Sequence, residues 1–175
     1  FKLSESMNLE FATAAIHNSY YFHKYDNEIK NKDEAIACFT ELIDELLGGW
    51  KVKQWFRAYF NYGLINYIKG NRRLLPCEVG TESFFVDPRG EVIPCNGLEE
   101  SVWMETMGNL NDLSFDEIWM SERAKNVRAK VKDCPKNCWM IGNAAPVMKK
   151  YIRTPLFWVI KNKLRSLAGK GVSLG

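Results

Sequence analysis

Four of the five cysteines lie between positions 77 and 138, in two pairs beside predicted turns, and this feature constrains the fold most. Cys77 and Cys95 flank a predicted β-hairpin, while Cys134 and Cys138 end the loop sequence Cys-Pro-Lys-Asn-Cys. Thiolates are soft ligands, and four together suit an iron–sulfur cluster or a zinc ion. If the four thiols share one site, the fold must bring the hairpin and the loop together.

The hairpin is predicted from two short apolar segments, residues 83–86 and 91–93, that flank the sequence Asp-Pro-Arg-Gly at 87–90. Proline in the second turn position and glycine in the fourth favour a type I turn. A turn centred on the Pro-Arg pair would place Val86 opposite Glu91. The open end of this hairpin is where the cysteines are expected to meet.

The spacing of the cysteines leaves the occupant of the site open. Cys95 ends the hairpin, and Cys77 lies in a loop that can fold back over it, so both thiols can converge with the compact pair Cys134 and Cys138. A zinc ribbon spaces its paired cysteines by two residues, which is not matched here. A structural zinc, buried thiols without a ligand, and disulfides remain as alternatives.

The remaining elements follow from hydrophobic periodicity and helix signals. Residues 9–16 predict a buried strand, and Asp33 is expected to cap a helix that runs to Leu47 and ends at a Gly-Gly pair. Ser114 and Glu117 form a capping box that opens a helix through about residue 131. Further helices are predicted over 51–69, 140–152 and 155–168. The fold class is therefore α+β.

Composition and cysteine usage indicate a globular intracellular chain. Hydrophobic residues make up 46% and charged residues 26% of the sequence, and no stretch is apolar and long enough to span a membrane. The first residues lack the pattern of a secretory signal, so a reducing, cytoplasmic location is expected. Cys38, in an apolar helical stretch, is expected to be a small buried hydrophobe.

Charge is unevenly distributed along the chain. From Cys134 onward there are eight Lys or Arg and no Asp or Glu, so the net charge of +3 leaves the preceding residues at −5. This asymmetry suggests an anionic partner for the C-terminal tail. In the last helix Leu156, Ile160, Leu164 and Leu167 form one stripe, which is expected to dock the helix onto the domain.

The cysteines and the residues between them resemble the C-terminal extension of radical S-adenosylmethionine enzymes, called the SPASM or twitch domain. The resemblance rests on Cys77, Gly90, Cys95, the turn Gly108-Asn109-Leu110, Trp119, Cys134, Cys138 and Trp139, in that order. It implies one fully protein-ligated [4Fe-4S] cluster of twitch type, held by Cys77, Cys95, Cys134 and Cys138. A full SPASM domain carries seven cysteines, and Gly142 stands where a further cysteine would follow.

A weaker resemblance covers the N-terminal third, which is similar to a late strand and loop of the family's partial β/α barrel. It implies that His17, Asn18 and Ser19 line a substrate cavity, although a polar strand end explains them as well. It also implies three parts: 1–72, the barrel remnant with connecting helices; 73–152, the cysteine domain; and 153–175, a basic C-terminal helix.

The family's defining Cys-x3-Cys-x2-Cys motif is missing from this chain. The resemblance therefore implies that S-adenosylmethionine and a second cluster bind to a catalytic barrel upstream of Phe1, and that this chain alone is inactive. Its auxiliary cluster would transfer electrons or shape the site of an unknown substrate, with Trp139 either screening the cluster or simply packing. The alternatives are a zinc-stapled interaction module and a metal-free basic adaptor domain.

Overall fold

The computed structural model describes residues 2–9, 11–19, 21–97 and 105–174, and these form an α+β fold, as the sequence predicts. The described helices are α1 (Lys2–Ser6), α2 (Lys32–Gly48), α3 (Val52–Ile68), α4 (Phe115–Met120), α5 (Glu122–Val131), α6 (Ile141–Lys150) and α7 (Arg153–Leu167). The strands are β1 (Phe85–Val86), β2 (Glu91–Ile93) and β3 (Gly108–Asn109). None of the helices in these ranges combines the length and apolar character needed to cross a bilayer.

Helices α2 and α3 form an antiparallel pair, and α7 packs against both. Apolar residues at helical spacing in α2, among them Ile43, Leu46 and Leu47, are buried against Ala58 and Ile65 of α3. Helix α2 ends at the predicted Gly-Gly pair. The prediction of an Asp33 cap is wrong, since the helix begins one residue earlier and its N-cap, Asn31, makes no side-chain capping bond.

The small sheet is antiparallel in the order β1-β2-β3. Val86 pairs with Val92, so the predicted register is wrong by one residue. The reason is Gly90, whose φ of +84° adds a third residue to the loop, while the Asp87 carboxylate accepts bonds from the amides of Arg89 and Glu91. The third strand was not predicted, because two residues are too few to show periodicity.

The predicted capping box at Ser114 and Glu117 is confirmed, but the single helix expected after it is divided in two. Ser121 has extended backbone angles, and its hydroxyl caps α5 by accepting from the amide of Ala124 at 3.0 Å. A serine that competes for backbone bonds favours such a cap over a helix interior. This break turns α5 so that Val127 and Val131 face the interior.

The N-terminal segment differs from its prediction. In the described part of residues 9–16, which leaves out Glu10, no strand is formed, so the prediction of a buried strand is wrong. Ile16 is 54% exposed. Cys38 is also exposed, which contradicts its expected burial. Both stretches are apolar enough to suggest a core position, but only some of their residues, such as Ala15 and Phe39, pack against the core.

Helix α7 is buried by a different face from the one predicted. Pro155 and Val159 are buried, whereas the stripe of Leu156, Ile160, Leu164 and Leu167 is exposed. The cause is Lys163, whose ammonium donates to the carbonyls of Leu47 at 2.7 Å and Gly49 at 2.8 Å. These carbonyls lie at the end of α2, where helix bonding leaves them unpaired, so Lys163 determines which face docks.

Candidate metal centre

The fold brings the two cysteine pairs to one region. Cys77 precedes the hairpin, Cys95 follows β2, and Cys134 and Cys138 lie in the loop between α5 and α6. All four are half-buried free thiols. Burial, with a smaller contribution from electrostatic repulsion by the three other cysteines, raises the pKa of Cys95 to about 12. The four side chains are therefore near enough to interact electrostatically, and their role as ligands of one cluster stays a prediction.

A positive charge partly offsets this repulsion at Cys138. Burial raises the pKa of the Cys138 thiol, while the cations of Lys136 and Arg73 oppose that rise by favouring its thiolate. At Cys95 the backbone N–H of Gly97 acts in the same direction by hydrogen bonding to the sulfur. Four buried thiols that repel one another as thiolates suit a cationic occupant, which would draw off their protons.

A single metal ion needs at least three suitable side chains close together. Within the described residues, no group of three or more His, Cys, Asp or Glu side chains is arranged to hold a single metal ion. The donor set nevertheless fits an iron–sulfur group, since four cysteine thiolates are the usual ligands of such clusters. The ligand atoms that these residues offer are therefore of the type that an iron–sulfur cluster needs.

Three side chains hold the loop at residues 134–138 in place. The Arg73 guanidinium donates to the carbonyl of Cys138 at 2.5 Å. Lys136 donates to the carbonyl of Gly97 at 2.8 Å, which joins this loop to the segment after Cys95. Asn137 donates to the carbonyls of Tyr67 at 3.3 Å and Asn71 at 3.1 Å, at the end of α3. These bonds join the loop to Arg73, to the segment after Cys95 and to the end of α3.

The segment around Cys77 is held from α6. Glu78 accepts hydrogen bonds from the Tyr151 hydroxyl at 2.6 Å and from Lys150 at 3.0 Å, and Lys150 also contacts Glu82. Partial burial alone would raise the pKa of Glu78, but these two donors outweigh it and lower that pKa. The carboxylate stays charged, so α6 fixes the backbone next to Cys77.

The sequence also singled out His17, Asn18 and Ser19, and the structure places two of them against the cysteine loops. His17 accepts from the amide of Trp139 at 3.1 Å, and the Ser19 hydroxyl donates to the carbonyl of Asn96 at 2.5 Å. Asn18 instead accepts from the amide of Asn27 at 3.0 Å, within the N-terminal segment. The placement of these residues in a substrate cavity stays a prediction. Their observed contacts are hydrogen bonds to other parts of the chain.

Trp139 is 1% exposed and packs in the core between α3 and α6. Its indole N–H donates to the carbonyl of Phe60 at 2.9 Å, and its ring fills the space above Gly63. This supports the packing interpretation of Trp139. The indole also anchors Cys138, its neighbour in the chain, to the helical core.

A cleft of about 1110 Å³ opens beside Cys77 and Cys134. Its charged lining residues are mostly cations, with only Glu78 and Asp133 as acids. The cationic lining residues are Arg72, Arg73, Arg128, Lys132 and Lys136. Sequence reasoning missed Arg73, and the available signal was its position four residues before Cys77, since cations often accompany clustered thiolates.

The cysteine-bearing part of the chain matches one known family model. Residues 77–140 match the family model SPASM, described as an iron-sulfur cluster-binding domain. The segment between the first cysteine and the start of α6 is thus similar to SPASM-type, iron–sulfur cluster-binding domains, which agrees with the resemblance seen in the sequence. No curated protein and no solved structure matched the chain.

Proposed function

We propose that Cys77, Cys95, Cys134 and Cys138 together ligate one [4Fe-4S] cluster, and that this domain is the auxiliary cluster domain of a radical S-adenosylmethionine oxidoreductase. The observation that carries the proposal is that four half-buried thiols from two distant segments interact at one site. The SPASM match over residues 77–140 supports the same chemistry.

The spacing between the ligands differs for a cluster and for zinc. Four thiolates on one zinc ion would lie about 4 Å apart, because a Zn–S bond is about 2.3 Å long. Cluster thiolates each bind a different iron and so stand farther apart. The described residues form no group suited to a single ion, although all four thiols interact.

A bound cluster would supply one-electron transfer, and the chain's own residues would set its surroundings. With four cysteines as ligands, each iron of the cluster has a protein ligand and none is open to substrate. Electron transfer is therefore the more natural role, and shaping of the substrate site is the alternative. Arg73, Lys136 and Asn137 hold one ligand loop, and Tyr151 fixes the segment that carries Cys77.

The test is anaerobic reconstitution of the chain with iron and sulfide, followed by metal analysis and visible spectroscopy. We expect about four irons per chain and a broad charge-transfer absorption. Cys95→Ser should lose most of the iron, whereas Cys38→Ser, a change at an exposed cysteine, should retain it. One zinc without colour would favour the zinc-stapled module, and no metal at all would favour the adaptor domain.

The catalytic context is a separate part of the proposal. The S-adenosylmethionine site and its own cluster would lie on a barrel encoded upstream in the same gene. The full-length gene product should then contain a Cys-x3-Cys-x2-Cys motif on the N-terminal side of Phe1. A gene product without that motif would contradict the assignment to a radical enzyme. The proposal that the domain binds a cluster would still stand.

We also propose that the basic C-terminal tail contacts an anionic partner. Lys149, Arg153 and Lys161 are exposed there, next to the exposed apolar stripe of α7. Anionic vesicles should bind the chain in sedimentation assays at low salt, and neutral vesicles should not. Equal sedimentation with both vesicle types would show that charge is not the basis of the contact.

A further inference from the structure

Arg73 lies between α3 and Cys77, and its guanidinium is held on two sides. Nε donates to the carbonyl of Leu75 at 3.3 Å, and Nη1 donates to the carbonyl of Cys138 at 2.5 Å. The guanidinium carbon also lies 5.8 Å from the centre of the Trp139 ring. These contacts fix the planar fork in one orientation beside the loop that carries two of the cysteines.

The third nitrogen of this guanidinium is different. Nη2 is buried, and within the described part of the chain it has no hydrogen-bond partner. No ion pair joins Arg73 to an acid among the described residues: Glu78 is bonded to Tyr151 and Lys150 instead. A buried charged donor without an acceptor is costly, so the site is built for an acceptor that the protein itself does not provide.

The surroundings indicate which acceptor this is. Arg73 lines the same cleft as Cys77 and Cys134, and its charge acts on the Cys138 thiol. The other half-buried cations of the cleft, Arg128 and Lys136, are bonded to backbone carbonyls. Arg128, for example, donates to the carbonyls of Gly80 and Trp119. The hydrogen-bond acceptor that Nη2 lacks is therefore expected to be a negatively charged sulfur.

We propose, resting on the cluster assignment above, that Arg73 donates through Nη2 to a sulfur of the bound cluster or of its thiolate ligands and thereby raises the reduction potential of the cluster. A cluster gains negative charge when it accepts an electron. A fixed cation and an N–H···S bond stabilise that reduced state more than the oxidised one. Arg73 is a tuning residue in this proposal, not a ligand.

The experiment is a redox titration of the reconstituted chain, followed by visible spectroscopy and electron paramagnetic resonance. Arg73→Gln should lower the equilibrium constant for one-electron reduction at least tenfold, which corresponds to about 59 mV. Arg73→Lys keeps the charge without the fork and should fall between wild type and Arg73→Gln. Arg72→Gln is the matched control, because Arg72 lines the same cleft but is exposed, and it should change the constant less than twofold.

A second measurement needs no substitution at Arg73. In wild type labelled with ¹⁵N-arginine, pulsed electron paramagnetic resonance of the reduced cluster should detect coupling to an arginine nitrogen, and this coupling should persist in Arg72→Gln. An iron-loaded wild type without this coupling, or an iron-loaded Arg73→Gln with an unchanged potential, would overturn the role of Arg73 alone. A wild type that takes up no iron would instead overturn the proposed function itself.

Discussion

The imidazole Nε2 of His17 accepts a hydrogen bond from the backbone N–H of Trp139, 3.1 Å away and 122 positions later in the chain. The other ring nitrogen, Nδ1, lies 2.7 Å from the carbonyl of Ala15, which can only accept, so Nδ1 carries the proton. Burial lowers the pKa of His17, which agrees with a neutral ring. The ring also stacks on Tyr67 at 4.0 Å. His17 thus ties the N-terminal segment to the residue that follows Cys138.

Removing this acceptor should loosen the loop that carries Cys134 and Cys138. His17→Asn leaves the amide of Trp139 without its partner, and we expect the free energy of unfolding to fall by about 1–3 kcal/mol. Hydrogen exchange should accelerate at residues 138–140. His23→Asn, at an exposed histidine, is the control and should stay within about 0.5 kcal/mol of wild type. Equal stability of the two variants would contradict the role of His17.

Gly63 and Gly142 offer a matched pair of helical glycines with opposite predictions. A Cβ at Gly63 would lie 2.0 Å from the indole of Trp139, whereas a Cβ at Gly142 would meet nothing within 4 Å. Gly63→Ala should therefore lower the free energy of unfolding by about 1–3 kcal/mol through overpacking. Gly142→Ala should leave it unchanged or slightly raised, because alanine favours a helix. Denaturant unfolding compares them, and a neutral Gly63→Ala would contradict the tight packing of Trp139.

The break between α4 and α5 predicts two separate capping effects. Ser114 caps α4 and Ser121 caps α5, each through its hydroxyl. Ser114→Ala and Ser121→Ala should each cost about 1 kcal/mol of stability. Were the region one continuous helix, Ser121→Ala would instead be stabilising, since alanine is the better interior residue. Thermal unfolding of the two variants distinguishes these cases.

The capping box also predicts a dependence on pH. Hydrogen bonds from the hydroxyl and amide of Ser114 lower the pKa of Glu117 from its ordinary value of 4.5. The folded state therefore holds this proton less tightly than the unfolded state, and the stabilisation is present above pH 4.5 and lost as pH falls below it. Glu117→Gln should flatten this part of the stability profile in acid titrations. A profile identical to wild type would contradict the shift.

The cysteines should differ in reactivity when the chain is free of metal. Cys38 is exposed, whereas burial raises the pKa of Cys95 to about 12 and also raises the pKa of Cys138. Because the thiolate is the nucleophile, iodoacetamide at pH 8 should modify Cys38 first and Cys95 slowly. Mass spectrometry of peptides gives the order. Rapid modification of Cys95 would show that its thiol is not held in the buried position described.

Local signals predicted much of the fold and the candidate site. Helices α2 and α3 follow from the spacing of their apolar residues, and α4 begins at the Ser114–Glu117 pair. These signals involve residues close together in the chain, so the sequence alone predicts them. The cysteine quartet likewise followed from chemistry, because four thiols beside turns favour a shared metal group. The strand at residues 9–16 was predicted wrongly for a related reason: an apolar run shows what should be covered, not what covers it.

The sequence by itself therefore determined most of the helices and the presence of the hairpin, which depend on contacts between neighbouring residues, and it supplied the set of thiols. Only the tertiary structure decided how these parts are oriented. Lys163 selects the docked face of α7 by bonding the end of α2, and Arg73 turns its fork toward the loop of Cys138. Such contacts join residues 116 and 65 positions apart, and their energy depends on geometry that no local pattern encodes.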